Sequence, residues 1–216
     1  MTLTAEQGGL YKATTSPQII EVPDVTYLMI DGMGLPGDED FKLAMRALYQ
    51  ISFGVRGEIV MSRPHAATPL EALWGPSGAP ITQGGRPCWR WTLMLPAVES
   101  SVRVLADRLA DAVDRVRHLL PPLPVDDVYV ARLREGRCVQ AMHVGPYEAV
   151  PATVSRMFAH VDARGLAPCG RHHEIYLSDP SQTAPQWLRT IVRLPVVPAA
   201  IRDRSADQPN LVAPRD

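Results

Sequence analysis

The chain has 216 residues, 46% of them hydrophobic, enough to bury a core as one compact domain or as two small fused modules. Its net charge of -1 and well-spread basic residues, of which only Lys12 and Lys42 are lysines, exclude a protein built mainly to grip nucleic acid, where a basic stripe is expected. Cys88, Cys138 and Cys169 lie far apart and lack CxxC spacing, so neither a disulfide framework nor a thiolate zinc site is suggested and a cytoplasmic home is the simplest reading; no export signal or membrane-length apolar run is visible.

Residues 1–16 are polar and read as loose, with 1–10 and the tail 199–216 counted as flexible ends. Val25 to Gly34 is a β-rich apolar run that breaks at Gly32 and Gly34, marking a strand that enters a turn. A helix follows from Asp38 as N-cap, with Glu39 and Asp40 in its first turn. Phe41, Ala44, Met45, Leu48, Ser52, Val55 and Ile59 recur at three- and four-residue spacing, with Tyr49 at the edge of the stripe, and the helix is expected to reach about Arg63. Strands are expected at Leu70–Trp74 and Cys88–Leu95, on either side of a loop rich in glycine and proline.

A second helix over about Ser100–His118 shows Val102, Leu105, Ala106, Leu109, Val113 and Val116 on one face and ends before a proline-rich connector. A strand at about Asp127–Arg134 turns at Gly136 into another at Arg137–Val144. After the Gly145-Pro146-Tyr147 break, a third helix spans about Glu148–Arg164 and is closed by Gly165. Strands then follow at about His172–Ser178 and Leu188–Val196. The two halves, about 17–119 and 125–196, share the order strand, glycine turn, helix, strand, strand, which predicts an α+β fold of two pseudo-symmetric modules. Their strands are expected to form an antiparallel sheet with helices on one face and a ligand groove between the halves. In that layout Glu71-Ala72-Leu73-Trp74 answers the carboxylate strand of the second half.

The strand His172-His173-Glu174-Ile175-Tyr176-Leu177 carries the chemistry. Side chains alternate, so His172, Glu174 and Tyr176 share one side while His173, Ile175 and Leu177 share the other. The second side is expected to pack against helices, leaving Glu174 to line a wall or cavity. His172 and Glu174 could share an ion, but no third ligand stands at useful spacing and HExxH is absent, so no metal is expected. Gly32-Met33-Gly34-Leu35-Pro36-Gly37 fits G-x-G-x-x-G, yet no acid follows at the end of a short second strand, so it reads as a glycine turn. No G-x-S-x-G elbow occurs.

Tyr11-Lys12-Ala13, Ile19 to Pro23, Tyr27 to Gly32, Leu70 to Trp74, Trp89 to Met94 and His172 to Pro180, taken in order, resemble the GyrI-like small-molecule-binding proteins over about residues 11–196, read as one domain. That resemblance implies two repeated α+β modules and a buried glutamate among aromatic side chains, the matching position being Glu174. It also implies a hydrophobic aromatic or cationic small molecule as partner, no direct contact with nucleic acid and no cofactor. Some members hydrolyse the strained cyclopropane of DNA-alkylating natural products, with protection of the cell as the outcome. Glu174 is then the expected base and Tyr176 a hydrogen-bond donor, while Trp74, Trp91, Tyr49, Tyr147 and His172 are expected ligand contacts. Sequestration of cationic drugs without chemistry and a gyrase-inhibitor-like interaction role are the alternatives the same resemblance leaves open.

Overall fold

The computed structural model describes residues 9–55, 68–76, 81–83, 86–97, 102–118, 122–200 and 211–212. In chain order these form β1 (Gln18–Val22), β2 (Val25–Gly34), α1 (Glu39–Val55), β3 (Leu70–Pro76), β4 (Ile81–Gln83), β5 (Arg86–Pro96), α2 (Val102–Val116), β6 (Tyr129–Leu133), β7 (Gly136–Val144), α3 (Val150–Asp162), β8 (Leu166–Pro168), β9 (Arg171–Tyr176), β10 (Arg189–Pro198) and β11 (Leu211–Val212). The fold is α+β, as the pattern of apolar periods predicts. The extension of the first helix to Arg63, the start of the second at Ser100 and the loop glycines Gly78, Gly84 and Gly85 lie outside the described residues.

The chain divides into two compact units. The first comprises Met1–Asp24, Pro69–Glu71 and Arg134–Asn210. Its strands run in the order β1-β7-β10-β9, with β8 also on β10, and each of these pairs is antiparallel. Register assigns the faces, because residues directly opposite one another project to the same side. Thr190 stands opposite His143 and Tyr176, Val192 opposite Ala141 and Glu174, and Arg193 opposite Gln140 and His173.

One face of this sheet carries Val139, Ala141, Val192, Leu194 and Val196, which pack against Val150, Met157 and Val161 of α3. Those three helix residues recur at about helical spacing, and Pro151 suits the first turn because its missing N–H would have no partner there. The helix stops at Ala163, after which Gly165 takes φ 64°, the left-handed conformation glycine adopts without strain. The opposite face carries Met142, Ile175 and Ile191, covered by Tyr11, Ala13 and Leu177.

Two expectations are corrected here. The face of β9 that meets a helix-covered layer is that of Glu174, while the His173 and Ile175 face is covered by the N-terminal segment. That segment is therefore not loose from residue 9 onward: Gln140 donates to the Lys12 carbonyl at 3.0 Å, Arg193 to the Leu10 carbonyl at 2.8 Å, and the Met142 N–H to the Thr14 carbonyl at 2.7 Å. In the second unit, Leu211–Val212 pairs with Leu133 and Arg132.

The second unit comprises Val25–Thr68, Ala72–Leu133 and Leu211–Asp216. Antiparallel pairing sets β5 beside β2 and β2 beside β6, with β4 as a hairpin partner of β5. Helices α1 and α2 pack together, so closely that a Cβ at Gly54 would stand 3.0 Å from that of Ala112. Arg115 donates to the Gly54 carbonyl near the end of α1, satisfying one of the acceptors a helix C-terminus leaves open. Asp38 stands at the position before the same helix, its carbonyl accepting the Lys42 N–H at 3.0 Å while its carboxylate accepts the Leu35 N–H at 2.8 Å. Gly32 does not break β2: it pairs with Trp91, and a Cβ there would fall 2.0 Å from the indole ring. Glycine serves close approach at this point, and the strand continues to Gly34.

Candidate functional site

Glu174 projects from β9 on the same sheet face as the α3 layer, one strand beyond the strands that carry it. Its side chain is 13% exposed and has hydrogen-bond donors on both oxygens. His172 donates from Nε2 to Oε1 at 2.9 Å and Tyr176 donates its hydroxyl to Oε2 at 2.9 Å. Both donors are the i-2 and i+2 neighbours, so the alternation of a strand delivers them to the carboxylate. Tyr147, from the turn before α3, meets Tyr176 edge to face with ring centroids 5.7 Å apart. Burial, followed by the negative charges of Glu174 and Asp179, pushes the Tyr147 phenol up to about 12, so it remains a proton-bearing donor at neutral pH.

Four of the seven residues singled out from sequence therefore come together: Glu174, Tyr176, His172 and Tyr147. Trp74, Trp91 and Tyr49 belong to the second unit. There Phe41 stacks on Trp74 with centroids 6.2 Å apart and meets Trp91 edge-on at 5.3 Å, and both indoles are buried. Tyr49 is also buried and donates to the Thr68 carbonyl at 3.4 Å.

On the other face of β9 lies an assembly that sequence reading passes over. His173 is fully buried, donating from Nδ1 to both Glu135 oxygens at 3.1 Å and from Nε2 to Glu71 at 2.9 Å. Arg193 reaches Glu135 at 3.2 Å and Gln140 at 3.2 and 3.3 Å, and the Tyr11 hydroxyl donates to Glu71 at 2.7 Å. Burial alone would depress the His173 pKa, but the Glu135 and Glu71 carboxylates outweigh it and hold the imidazolium at about 9. Burial would likewise raise Glu135, and His173 with Arg193 outweighs it, holding that carboxyl at about 2. Burial and the charge of Glu71 both push the Tyr11 phenol up. The signals available were Tyr11 and Glu71 within the quoted motifs. Glu135, in a turn before Gly136, gives no sign of its partner until the register of β7, β9 and β10 is known.

Neither nitrogen of His173 offers a lone pair, and among the described residues no group of three histidine, cysteine or acidic side chains has the arrangement of a metal site. No described helix is long and apolar enough to cross a membrane.

The order of antiparallel strands and the helices packed on one face define an α+β protein. Residues 115–197 match the model of the GyrI-like small molecule binding domain. Two solved structures from Listeria innocua are similar over nearly the whole of their length. One, described as a hydrolase, is 31% identical with TM-score 0.72, covering 89% of this chain and 97% of that one. The other, described as an uncharacterized conserved protein, is 32% identical with TM-score 0.73 and the same coverage. The EcmrR C-terminal domain shares the fold at 10% identity, with TM-score 0.55 over 84% of this chain and 97% of its own. No curated protein sequence matches the chain. The chain belongs to the GyrI-like family of small-molecule-binding proteins.

Proposed function

We propose that this protein acts in the cytoplasm on a flat, hydrophobic electrophile bound beside Glu174, adding water to a strained carbon, with cyclopropanoid DNA alkylators as the substrate class and protection of the cell as the outcome. The observation that carries the reading is a largely buried carboxylate with a ring-nitrogen donor on one oxygen, a phenol on the other and a second aromatic ring alongside. Each carboxylate oxygen keeps a further lone pair, so the group can still accept a proton from water.

In the proposed step, a water oxygen bonds to the strained ring carbon while its proton passes to Glu174. The carbon–carbon bond of the three-membered ring breaks, and its electron pair moves through the conjugated system onto a carbonyl oxygen. That oxygen then takes up the proton, so the sum is substrate plus water. The Tyr176 proton is engaged by Glu174, which makes Tyr147 the phenol suited to donate to the oxygen that gains charge. Holding water and carbon at attack distance removes the entropy of a bimolecular encounter, and a general base adds typically ~10²- to 10⁴-fold. The description of a 31% identical relative as a hydrolase supports chemistry at such a site.

Non-catalytic capture of a flat cation is the second reading, favoured by two phenol rings beside a carboxylate. Glu174→Gln separates them. Turnover of a cyclopropanoid alkylator, followed by mass spectrometry in isotopically labelled water, is expected to fall by about 10²- to 10⁴-fold while binding of neutral aromatics persists. A variant that turns over normally, or a wild-type protein that binds flat cations and incorporates no labelled oxygen, would remove the enzymatic reading.

A further inference from the structure

Tyr147 is 36% exposed and sits on a 3-10 turn, Tyr147–Ala149, rather than in a strand, yet its ring meets Tyr176 at a defined edge-to-face angle of 85°. Such a ring takes its place from the backbone beneath it. That backbone is held from two sides. The Gly145 N–H donates to the Leu188 carbonyl at 2.9 Å, with Gly145 at φ 137°, and His143 reaches the Pro146 carbonyl from Nε2 at 3.0 Å.

The carbonyl accepts only, so Nε2 carries the proton and Nδ1 of a neutral ring is the acceptor. Nδ1 lies 2.9 Å from the Thr153 hydroxyl, whose oxygen also accepts from Arg156 Nη2 at 3.1 Å. The imidazole is buried and has both nitrogens engaged, one toward the turn and one toward the first turns of α3. It also shares a row across the sheet with the site, since Thr190 stands directly opposite both His143 and Tyr176.

We infer that His143 is a positioning residue which, through the Pro146 carbonyl, fixes Tyr147 beside the Glu174 carboxylate and so determines which planar ligands the site accepts. The inference rests on the proposed site at Glu174 and assigns a role there to a residue that never touches ligand. A histidine is suited to this because it joins a donor to one element and an acceptor to another within a rigid ring. Leucine would fill the space but release the turn. Glutamine would restore a donor to the Pro146 carbonyl.

The test is a double-mutant cycle read with ethidium, a flat aromatic cation, by fluorescence titration of the full chain. His143→Leu is expected to weaken ethidium by about three- to thirtyfold, the equivalent of one aromatic face contact, and to lower kcat for a cyclopropanoid as well as raise its KM, because Tyr147 both contacts the ligand and donates to the oxygen that gains charge. Tyr147→Ala should weaken it to a similar extent. In the Tyr147→Ala background the additional effect of His143→Leu should shrink to within about twofold, since a residue that acts through another has nothing left to position. His143→Gln should recover most of the affinity, and it serves if the leucine variant fails to fold, as judged by thermal melting. Equal losses from His143→Leu in both backgrounds, or no loss in either, would overturn the inference. Glu174→Gln, measured alongside, keeps the two readings apart: if it alters neither ethidium affinity nor turnover, the proposed function at that site fails, whereas an additive cycle with a sensitive Glu174 refutes only the role of His143.

Discussion

Glu174 and Glu135 show how one residue type is put to two uses on the two faces of one sheet. Glu174 keeps 13% of its side chain open and is met by donors from its own strand, an arrangement a ligand can enter. Glu135 is sealed between His173 and Arg193, where it and Glu71 balance the two cations. Removing one partner of such a set leaves a buried charge with too few counter-charges, and the cost is that of an uncompensated ion. Arg193→Met is accordingly expected to destabilise the protein by about 3–5 kcal/mol, measured by urea unfolding at neutral pH. A loss below about 1 kcal/mol would mean that the network contributes little and that Glu135 relaxes to water. The same substitution removes the donor to the Leu10 carbonyl, so it should also raise hydrogen exchange in residues 9–14.

Elements were legible where their period is long and clean. Strand β2 runs from Val25 to Gly34 as its apolar run predicts, and α1 starts one residue after Asp38 because the chain offers an N-cap and two acids there. Short strands without a period, β1, β4 and β8, were not legible: three to five residues carry too few alternations to distinguish a strand from a loop. The meaning of Gly32 also eluded sequence, since a glycine after an apolar run reads as a turn whether it bends the chain or admits a neighbour. Its role gives a direct test. Gly32→Ala sets a methyl 2.0 Å from the Trp91 ring, so the indole must move, at an expected cost of about 1–3 kcal/mol for overpacking. A lower melting temperature with altered near-ultraviolet dichroism from tryptophan is the expected result, and an unchanged spectrum would show that the ring is not held there.

At the scale of the whole molecule, the notable property is that unit boundaries do not follow chain order. The first unit draws on residues before Asp24, a stretch at Pro69–Glu71 and residues after Arg134, so its charged network is assembled from three separate segments. Tyr11, Glu71, Glu135, His173 and Arg193 meet only when all three are in place, and the pH dependence of unfolding should report that assembly. His173 has its pKa raised from 6.5 to about 9, so its contribution is complete below pH 6.5 and is lost as pH rises through about 9. Glu135 is lowered from 4.5 to about 2, so its contribution is complete above pH 4.5 and is lost as pH falls through about 2. Stability from this network is expected to plateau between those limits and to fall on both sides, which urea midpoints across the range would reveal. A protein whose stability keeps rising from pH 7 to 9 would contradict a charged His173.

The sequence by itself determined the α+β class, the cores of α1, α2 and α3, the long strands and the alternation that sets His172, Glu174 and Tyr176 on one side of β9. All of these depend on spacing within a few residues, where local periodicity carries the information. Tertiary structure alone decided which face of β9 lies on the side of the α3 layer, that the N-terminal segment closes the other, and that His173 bridges Glu71 and Glu135. Those depend on strand register between segments as much as 183 residues apart, as in the bond from Arg193 to Leu10, and a one-residue shift in pairing would exchange the two faces.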